Sequence, residues 1–281
     1  MMRAVEHVAA LLLAAGGVRG RRLDTDVATH HVYLAEGKGP LPPLVLLHGL
    51  SDSAASGALI MLHLRRRARR VIAVESAGHG RSGPPLVEYN LERHRASMTQ
   101  VLDALLDEPA VFVGNSLGGA TAIHYALERP ERVRALLLTS PVGGAVEQEV
   151  IDDLRRTFSP RTLADARALV DRLFHRPGRL APLVARLVLA RTGSRAVCDL
   201  IRNFGPADAF TPEELARLRA PLHLMWGRSE RLLPPAMLAY FRAHLPASAV
   251  ITEPDDFGHC PHLDAPLRFA RLVADFAARH A

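Results

Sequence analysis

Lysine is almost absent from this chain. Of its 35 basic residues, Lys38 is the one lysine, so the net charge of +6 is carried by arginine. A bias this strong along the whole chain is a compositional habit rather than a local basic patch. The densest run, Arg65-Arg66-Arg67-Ala68-Arg69-Arg70, has no interleaved aromatics and reads as the solvated end of a helix. A nucleic-acid partner is therefore not expected. Cysteine is scarce too. Cys198 and Cys260 lie far apart, with no C-x-x-C or zinc-finger spacing, which excludes a disulfide framework and a thiolate metal site. His259-Cys260-Pro261-His262 has no second ligand cluster to accompany it, so no metal is expected, and no cofactor either. This cysteine usage is compatible with a reducing, cytoplasmic setting.

Long apolar runs are also missing. The longest candidate near the N-terminus, Val8 to Val18, falls short of the about 20 residues a bilayer span needs. It is also a loose match to a signal peptide, with a weakly cationic start and no clear cleavage site. Val5, Val8, Leu11, Leu12 and Ala15 recur at helical spacing, so residues 1–22 are expected to form an amphipathic helix packed against the domain. Peripheral membrane contact through that helix stays open, as do secretion and the oligomeric state.

With 281 residues, 48% hydrophobic and 23% charged, the chain suits a single globular core with an insertion. Val111-Phe112-Val113-Gly114-Asn115-Ser116-Leu117-Gly118-Gly119 organises it. A β-branched and aromatic run reads as a buried strand, and Ala120 to Glu128 reads as a helix. The G-x-S-x-G between them puts Ser116 on a turn so sharp that glycine is needed on either side. Its hydroxyl is pushed out at the top of a sheet, beside the N–H of Leu117 at a helix N-terminus.

Strands alternate with helices elsewhere. His31 to Gly37, Leu44 to Leu47, Val71 to Glu75, Arg132 to Thr139, Leu222 to Trp226 and Ala249 to Thr252 read as strands, and Leu91 to Leu106 as a helix. This alternation argues an α/β fold with a mostly parallel, doubly wound sheet. His48-Gly49-Leu50 turns the chain just beyond a buried strand, where open α/β sheets bind their ligands, so the Leu50 N–H is the candidate second donor to an oxyanion. His79, in the loop Gly78-His79-Gly80-Arg81-Ser82, is a tempting base but reads better as a histidine hydrogen-bonded within its loop.

In their order, His48-Gly49-Leu50, Gly78-His79-Gly80-Arg81-Ser82, Gly114 to Gly119 and Pro130-Glu131-Arg132-Val133 resemble the α/β-hydrolase-fold enzymes, from about residue 30 to the end. The likeness is to bacterial esterases and monoacylglycerol lipases, and also to the meta-cleavage-product hydrolases that share G-N-S-x-G-G. Glu75 departs from the aspartate usual there. The resemblance implies the order nucleophile, acid, histidine. It places the acid at Glu230, after the strand ending at Trp226, with Asp255 and Asp256 as rivals by charge. It places the base at His259, with His262 as the alternative. It also implies that residues 144–215, where four helical stretches separated by proline and glycine replace the strand rhythm, form a helical cap inserted after the sixth strand, between core segments 23–143 and 216–281. No arginine among Arg186, Arg191, Arg195 and Arg202 stands out as a receptor for a carboxylate. The expected substrate is then a small-molecule ester with an apolar acyl part, cleaved by Ser116, Glu230 and His259 with Leu50 and Leu117 at the oxyanion. Carbon–carbon hydrolysis of a ring-cleavage dienoate, or a catalytically silent ligand-binding role, remains open.

Overall fold

The computed structural model describes residues 2–179 and 181–281, apart from the side chains of residues 2–5. Met1 and the Val5 side chain of the expected apolar stripe lie outside the described residues. The described residues build an eight-stranded sheet: β1 (Arg19–Asp24), β2 (Thr29–Glu36), β3 (Leu44–Leu47), β4 (Arg70–Val74), β5 (Ala110–Asn115), β6 (Val133–Thr139), β7 (Leu222–Met225) and β8 (Val250–Thr252). Their spatial order is β1-β2-β4-β3-β5-β6-β7-β8. β3 to β8 pair in parallel, while β2 joins β4 antiparallel and carries β1 as an antiparallel edge.

The helices, in chain order, are α1 (Met2–Ala15), α2 (Ala58–Leu64), α3 (Leu91–Asp103), α4 (Leu117–Glu128), α5 (Gln148–Thr157), α6 (Leu163–Leu173), α7 (Ala181–Thr192), α8 (Arg195–Asn203), α9 (Pro212–Ala216), α10 (Pro235–His244), α11 (Pro261–Asp264) and α12 (Pro266–Arg279). They cover both faces, which is why the parallel strands read as unbroken apolar runs. Alternate side chains still separate. Val45, Phe112 and Leu136 join the core layer that holds Met98 of α3, Ile123 of α4 and Phe241 of α10. Leu44, Val111 and Leu137 join the layer that holds Met61 of α2 and Phe269 and Val273 of α12.

From β3 the chain moves one way to β4, then crosses to the other side of β3 to make β5. Neighbouring strands β3 and β5 therefore send their exits in opposite directions, and a crevice opens between the loops at their carboxyl ends. Leu50 and Ser116 sit on those two loops. Between β6 and β7 the strand rhythm stops as expected, and α5 to α8 fill the gap. Their starts follow local chemistry: the Thr162 hydroxyl caps α6 with Asp165 bonding back, and Ser194 caps α8.

The N-terminus departs from expectation twice. The helix does not run to residue 22. It stops at Ala15 in a Schellman turn, with Gly17 at φ +77°, Val18 N–H donating to Leu13 O and Gly17 N–H to Ala14 O. Arg19 to Arg22 then belong to β1, an arginine-rich edge strand with no apolar alternation to announce it. Nor does the apolar stripe pack inward: Val8, Leu11, Leu12 and Ala15 face out, and the helix is anchored by Leu13 and Glu6. With Ala9, Ala10, Leu13 and Ala14 between them, almost any face of this helix is apolar, so periodicity alone does not choose one. No helix among the described residues is long and apolar enough to cross a membrane.

Candidate active site

β5 delivers the chain into a turn where Ser116 takes φ +53° and ψ −116°. A non-glycine residue held there costs on the order of 1–3 kcal/mol, so its surroundings must over-determine it. They do. Ser116 N–H donates to Thr139 O at 3.0 Å, and its carbonyl accepts from Ala120 N–H at 3.1 Å. The flanking glycines are required by contact: a Cβ on Gly114 would lie 2.5 Å from Gly118 O, and one on Gly118 would lie 2.2 Å from Leu47 O. α4 begins at Leu117, so the Leu117 N–H has no partner within the helix and meets none elsewhere among the described residues. The Leu50 N–H is likewise unpaired among the described residues.

The loop carrying Leu50 is braced by two buried histidines. Ser76 N–H donates to His48 Nε2 at 3.1 Å, and Ser51 N–H donates to His79 Nε2 at 3.2 Å. Each ring therefore keeps its proton on Nδ1 and donates it to a carbonyl, His48 to Gly49 O at 2.8 Å and His79 to Ala77 O at 2.9 Å. Burial pushes the His79 pKa down to about 3, so the ring is neutral. Both nitrogens of His79 are occupied by backbone, which agrees with the loop-bound reading and removes it as a base. It holds Ser51, at φ +58°, and so fixes the residue beside the Leu50 donor.

Glu230 and His259, on the loops after β7 and β8, meet directly. His259 Nδ1 donates to Glu230 Oε2 at 2.7 Å, with both side chains buried. The other carboxylate oxygen, Oε1, accepts from the N–H groups of Leu232 and Leu233 at 2.8 and 3.0 Å. Burial pushes the Glu230 pKa up, but the charge and hydrogen bond of His259 outweigh it and hold the carboxyl below its usual range. Asp255 and Asp256 instead form exposed ion pairs with Arg228 and Arg268. His262 turns away to bond Asp52 Oδ2 through Nε2 at 3.1 Å. Ser116 and His259 border one cavity of about 70 Å³ without a hydrogen bond between them. Such contacts commonly tighten only when substrate is bound.

Three supports carried no signal in the motif reading. Asn115, the residue before the serine, donates from Nδ2 to His259 O at 2.8 Å and to Thr139 O at 3.2 Å, tying the His259 loop to the Ser116 turn. Asp264 accepts from Gly258 N–H at 2.7 Å and from His175 N–H at 2.9 Å. Leu173 O, at the end of α6, accepts from His259 N–H at 2.9 Å. His259 is thus clasped between core and insertion. A Cβ on Gly258 would lie 2.6 Å from His175 N, so only glycine lets the insertion's backbone approach this closely.

A second cavity of about 70 Å³ also meets Ser116, with Leu117 beside it, and is lined mainly by apolar side chains, among them Leu50, Val142, Phe158, Leu200, Ile201 and Leu233. Charged residues at the two cavities are engaged elsewhere. Arg155 donates to Phe204 O at 2.6 Å, and Arg95 to Asp208 O at 3.1 Å. Arg191 pairs with Glu6 at 2.7 Å and Asp52 at 3.4 Å. Burial raises the Asp52 pKa, but the hydrogen bond and charge of His262, with Arg191, carry it well below the usual range. Leu173, Phe174, Val184 and Val188 of the insertion border the His259 cavity, whereas Leu163 and Leu183 are exposed.

The family model described as alpha/beta hydrolase fold matches residues 42–266. The chain is similar to an sn-1-specific diacylglycerol lipase of Mus musculus, 28% identical over 263 residues, 87% of this chain and 84% of that one. It is equally similar, at 28% over 293 residues, to a 2-hydroxy-6-oxononadienedioate/2-hydroxy-6-oxononatrienedioate hydrolase of Paraburkholderia xenovorans, covering 93% and 94%. Among solved structures it resembles the carboxylesterase CesB of Bacillus subtilis with a TM-score of 0.75 and 21% identity, over 97% of this chain and 98% of that one.

Proposed function

The chain belongs to the alpha/beta hydrolase fold family, and from that premise we propose that this hydrolase cleaves carboxylic esters with an apolar acyl part through an acyl-enzyme on Ser116. The observation that carries the reading is the 2.7 Å bond from His259 Nδ1 to a buried Glu230 carboxylate. It leaves Nε2 free to take a proton, in a cavity that Ser116 also borders. A serine hydroxyl is a weak nucleophile at neutral pH, and this arrangement is what activates it.

His259 removes the Ser116 proton as Oγ attacks the ester carbonyl. The Leu50 and Leu117 N–H groups receive the oxyanion. His259 then protonates the leaving alcohol as the carbon–oxygen bond breaks. In the second half, water attacks the acyl-enzyme, gives its proton to His259, and the acid leaves as that proton returns to Ser116. Residues 144–215 act as the cap, the segments 23–143 and 216–281 as the catalytic core, and α1 as a separate N-terminal element. The apolar walls and the prior engagement of Arg95, Arg155 and Arg191 favour a neutral, hydrophobic substrate over one with a carboxylate to be gripped.

A graded panel of p-nitrophenyl esters, with a fluorophosphonate probe, tests this. Ser116→Ala is expected to lose labelling and all but about a thousandth of kcat, and Glu230→Gln to lose most of it. A silent Glu230→Gln beside a crippled Asp256→Asn would refute the acid assignment. Faster turnover of a ring-cleavage dienoate than of any ester would shift the reading to carbon–carbon hydrolysis.

A further inference from the structure

Helix α1 leaves its apolar row uncovered. Val8, Leu11 and Leu12 are 56%, 56% and 59% exposed, and Ala15 continues the row one turn on. Scattered exposed hydrophobics need no explanation, but four on one face of one helix form a patch that calls for an occupant. Just past the Schellman turn, Arg19 and Arg21 are exposed on one side of β1, with Arg22 exposed on the other. A second copy packed across α1 and the adjoining start of β1 would set those guanidinium groups against their own kind. An anionic lipid surface would accept the apolar row and the positive charge together.

We propose that α1 is a membrane-docking helix, which lays Val8, Leu11, Leu12 and Ala15 into the headgroup–acyl boundary of anionic lipid while Arg19 and Arg21 pair with head groups. The inward side of the helix is wired to the reaction cavity. Glu6 accepts from Arg191 of α7 at 2.7 Å, and Arg191 also reaches Asp52 and Ser53. Arg191 and Asp52 border the cavity that holds Ser116 and His259. Docking thus holds the protein at the surface from which a long-chain ester is drawn. This last step rests on the ester reading; the docking does not.

Co-flotation of the full chain with phosphatidylcholine vesicles, with and without about 30% phosphatidylglycerol, tests the proposal. The protein is expected to float with the anionic vesicles and poorly with neutral ones. The exposed pair Leu11→Asp/Leu12→Asp should cut partitioning at least about ten-fold, and Arg19→Gln/Arg21→Gln should cut it several-fold. Hydrolysis of soluble p-nitrophenyl butyrate and the Tm should stay as in the parent chain. Val8→Ser gives a milder check on the same face. Failure to float with anionic vesicles, or flotation undiminished by Leu11→Asp/Leu12→Asp, overturns the proposal. So does a dimer in light scattering that the same pair converts to monomer while vesicles remain unbound. Flotation by a chain inert toward every ester would uphold docking and refute the ester reading instead.

Discussion

His79→Leu separates bracing of the Leu50 loop, the proposed oxyanion loop, from mere packing. The two side chains are similar in bulk, but leucine leaves Ser51 N–H and Ala77 O without the partners they have at 3.2 and 2.9 Å. A buried polar group left unpaired costs about 1–3 kcal/mol. A polar cavity of about 520 Å³, lined by His79, Ser51 and Asp52, lets water reach Ser51, while Ala77 is fully buried, so the two losses together come to at least the sum of the lower ends. About 2 kcal/mol in total corresponds to a Tm lower by roughly 4–8 °C in a chain of this size. The kinetic effect should be larger than that loss implies. Loss of one oxyanion donor is worth about 10²–10³ in kcat, and a loosened Ser51 displaces its neighbour Leu50 rather than deleting it, so kcat should fall by about 10- to 100-fold with KM nearly unchanged. His79→Asn, which keeps an acceptor for Ser51, should recover part of it. Steady-state kinetics on p-nitrophenyl butyrate, beside a thermal melt, give both readouts. A His79→Leu enzyme with kcat within twofold of the parent and a lowered Tm would show that the ring only fills space.

Gly118→Ala should unfold at lower urea, by about 3 kcal/mol, because its Cβ meets the Leu47 backbone carbonyl 2.2 Å away; an unshifted midpoint would contradict the contact. Asn115→Leu should lower kcat about ten-fold by freeing the His259 carbonyl, within the cost of one unmade buried hydrogen bond. Asn115→Asp should be worse despite its matching shape, since it points an acceptor at that carbonyl, and the reverse order would refute the positioning role. Stability should fall on acidification. The His79 pKa lies near 3 when folded, against about 6.5 unfolded, so between those values the unfolded chain alone binds the proton. Stability from this group is therefore complete above about 6.5 and drains by about 1.4 kcal/mol per pH unit below it. Burial lowers His30 and His94 in the same sense. Denaturant midpoints from pH 7 to pH 4 measure the slope, and a flat profile would exclude neutral buried histidines.

The doubly wound sheet was legible because each parallel strand is buried on both faces and so reads as an apolar run between turn signals. Ser116 was legible because its backbone strain leaves a glycine signature on both sides. β1 was not, since an exposed antiparallel edge needs only a partner's backbone, and Arg19 to Asp24 obtain it from β2 residue by residue. The facing of α1 was hidden for a related reason. A helix that is apolar nearly all round is oriented by a few inward anchors, here Leu13 and the Glu6–Arg191 pair, and the second of these joins residues 185 apart in sequence.

The same distinction explains why the candidate site was visible residue by residue but not as a unit. Ser116, Glu230 and His259 stand on separate loops, after β5, β7 and β8, and the sheet alone sets only where those loops leave. Their mutual register comes from bonds between loops: Asn115 to His259 O, Asp264 to Gly258 N–H, Leu173 O to His259 N–H, and His79 to Ser51 N–H. Each of these has a backbone group on at least one side. A backbone acceptor has no residue preference of its own, so the partner's side chain is all that a sequence could display, and a single Asn or Asp has many other uses. Leu173 lies in the insertion, so the insertion does more than line a pocket: it fixes the height of the imidazole. Changes to the α6 terminus should therefore reach kcat through His259 even where they leave the acyl-binding surface intact.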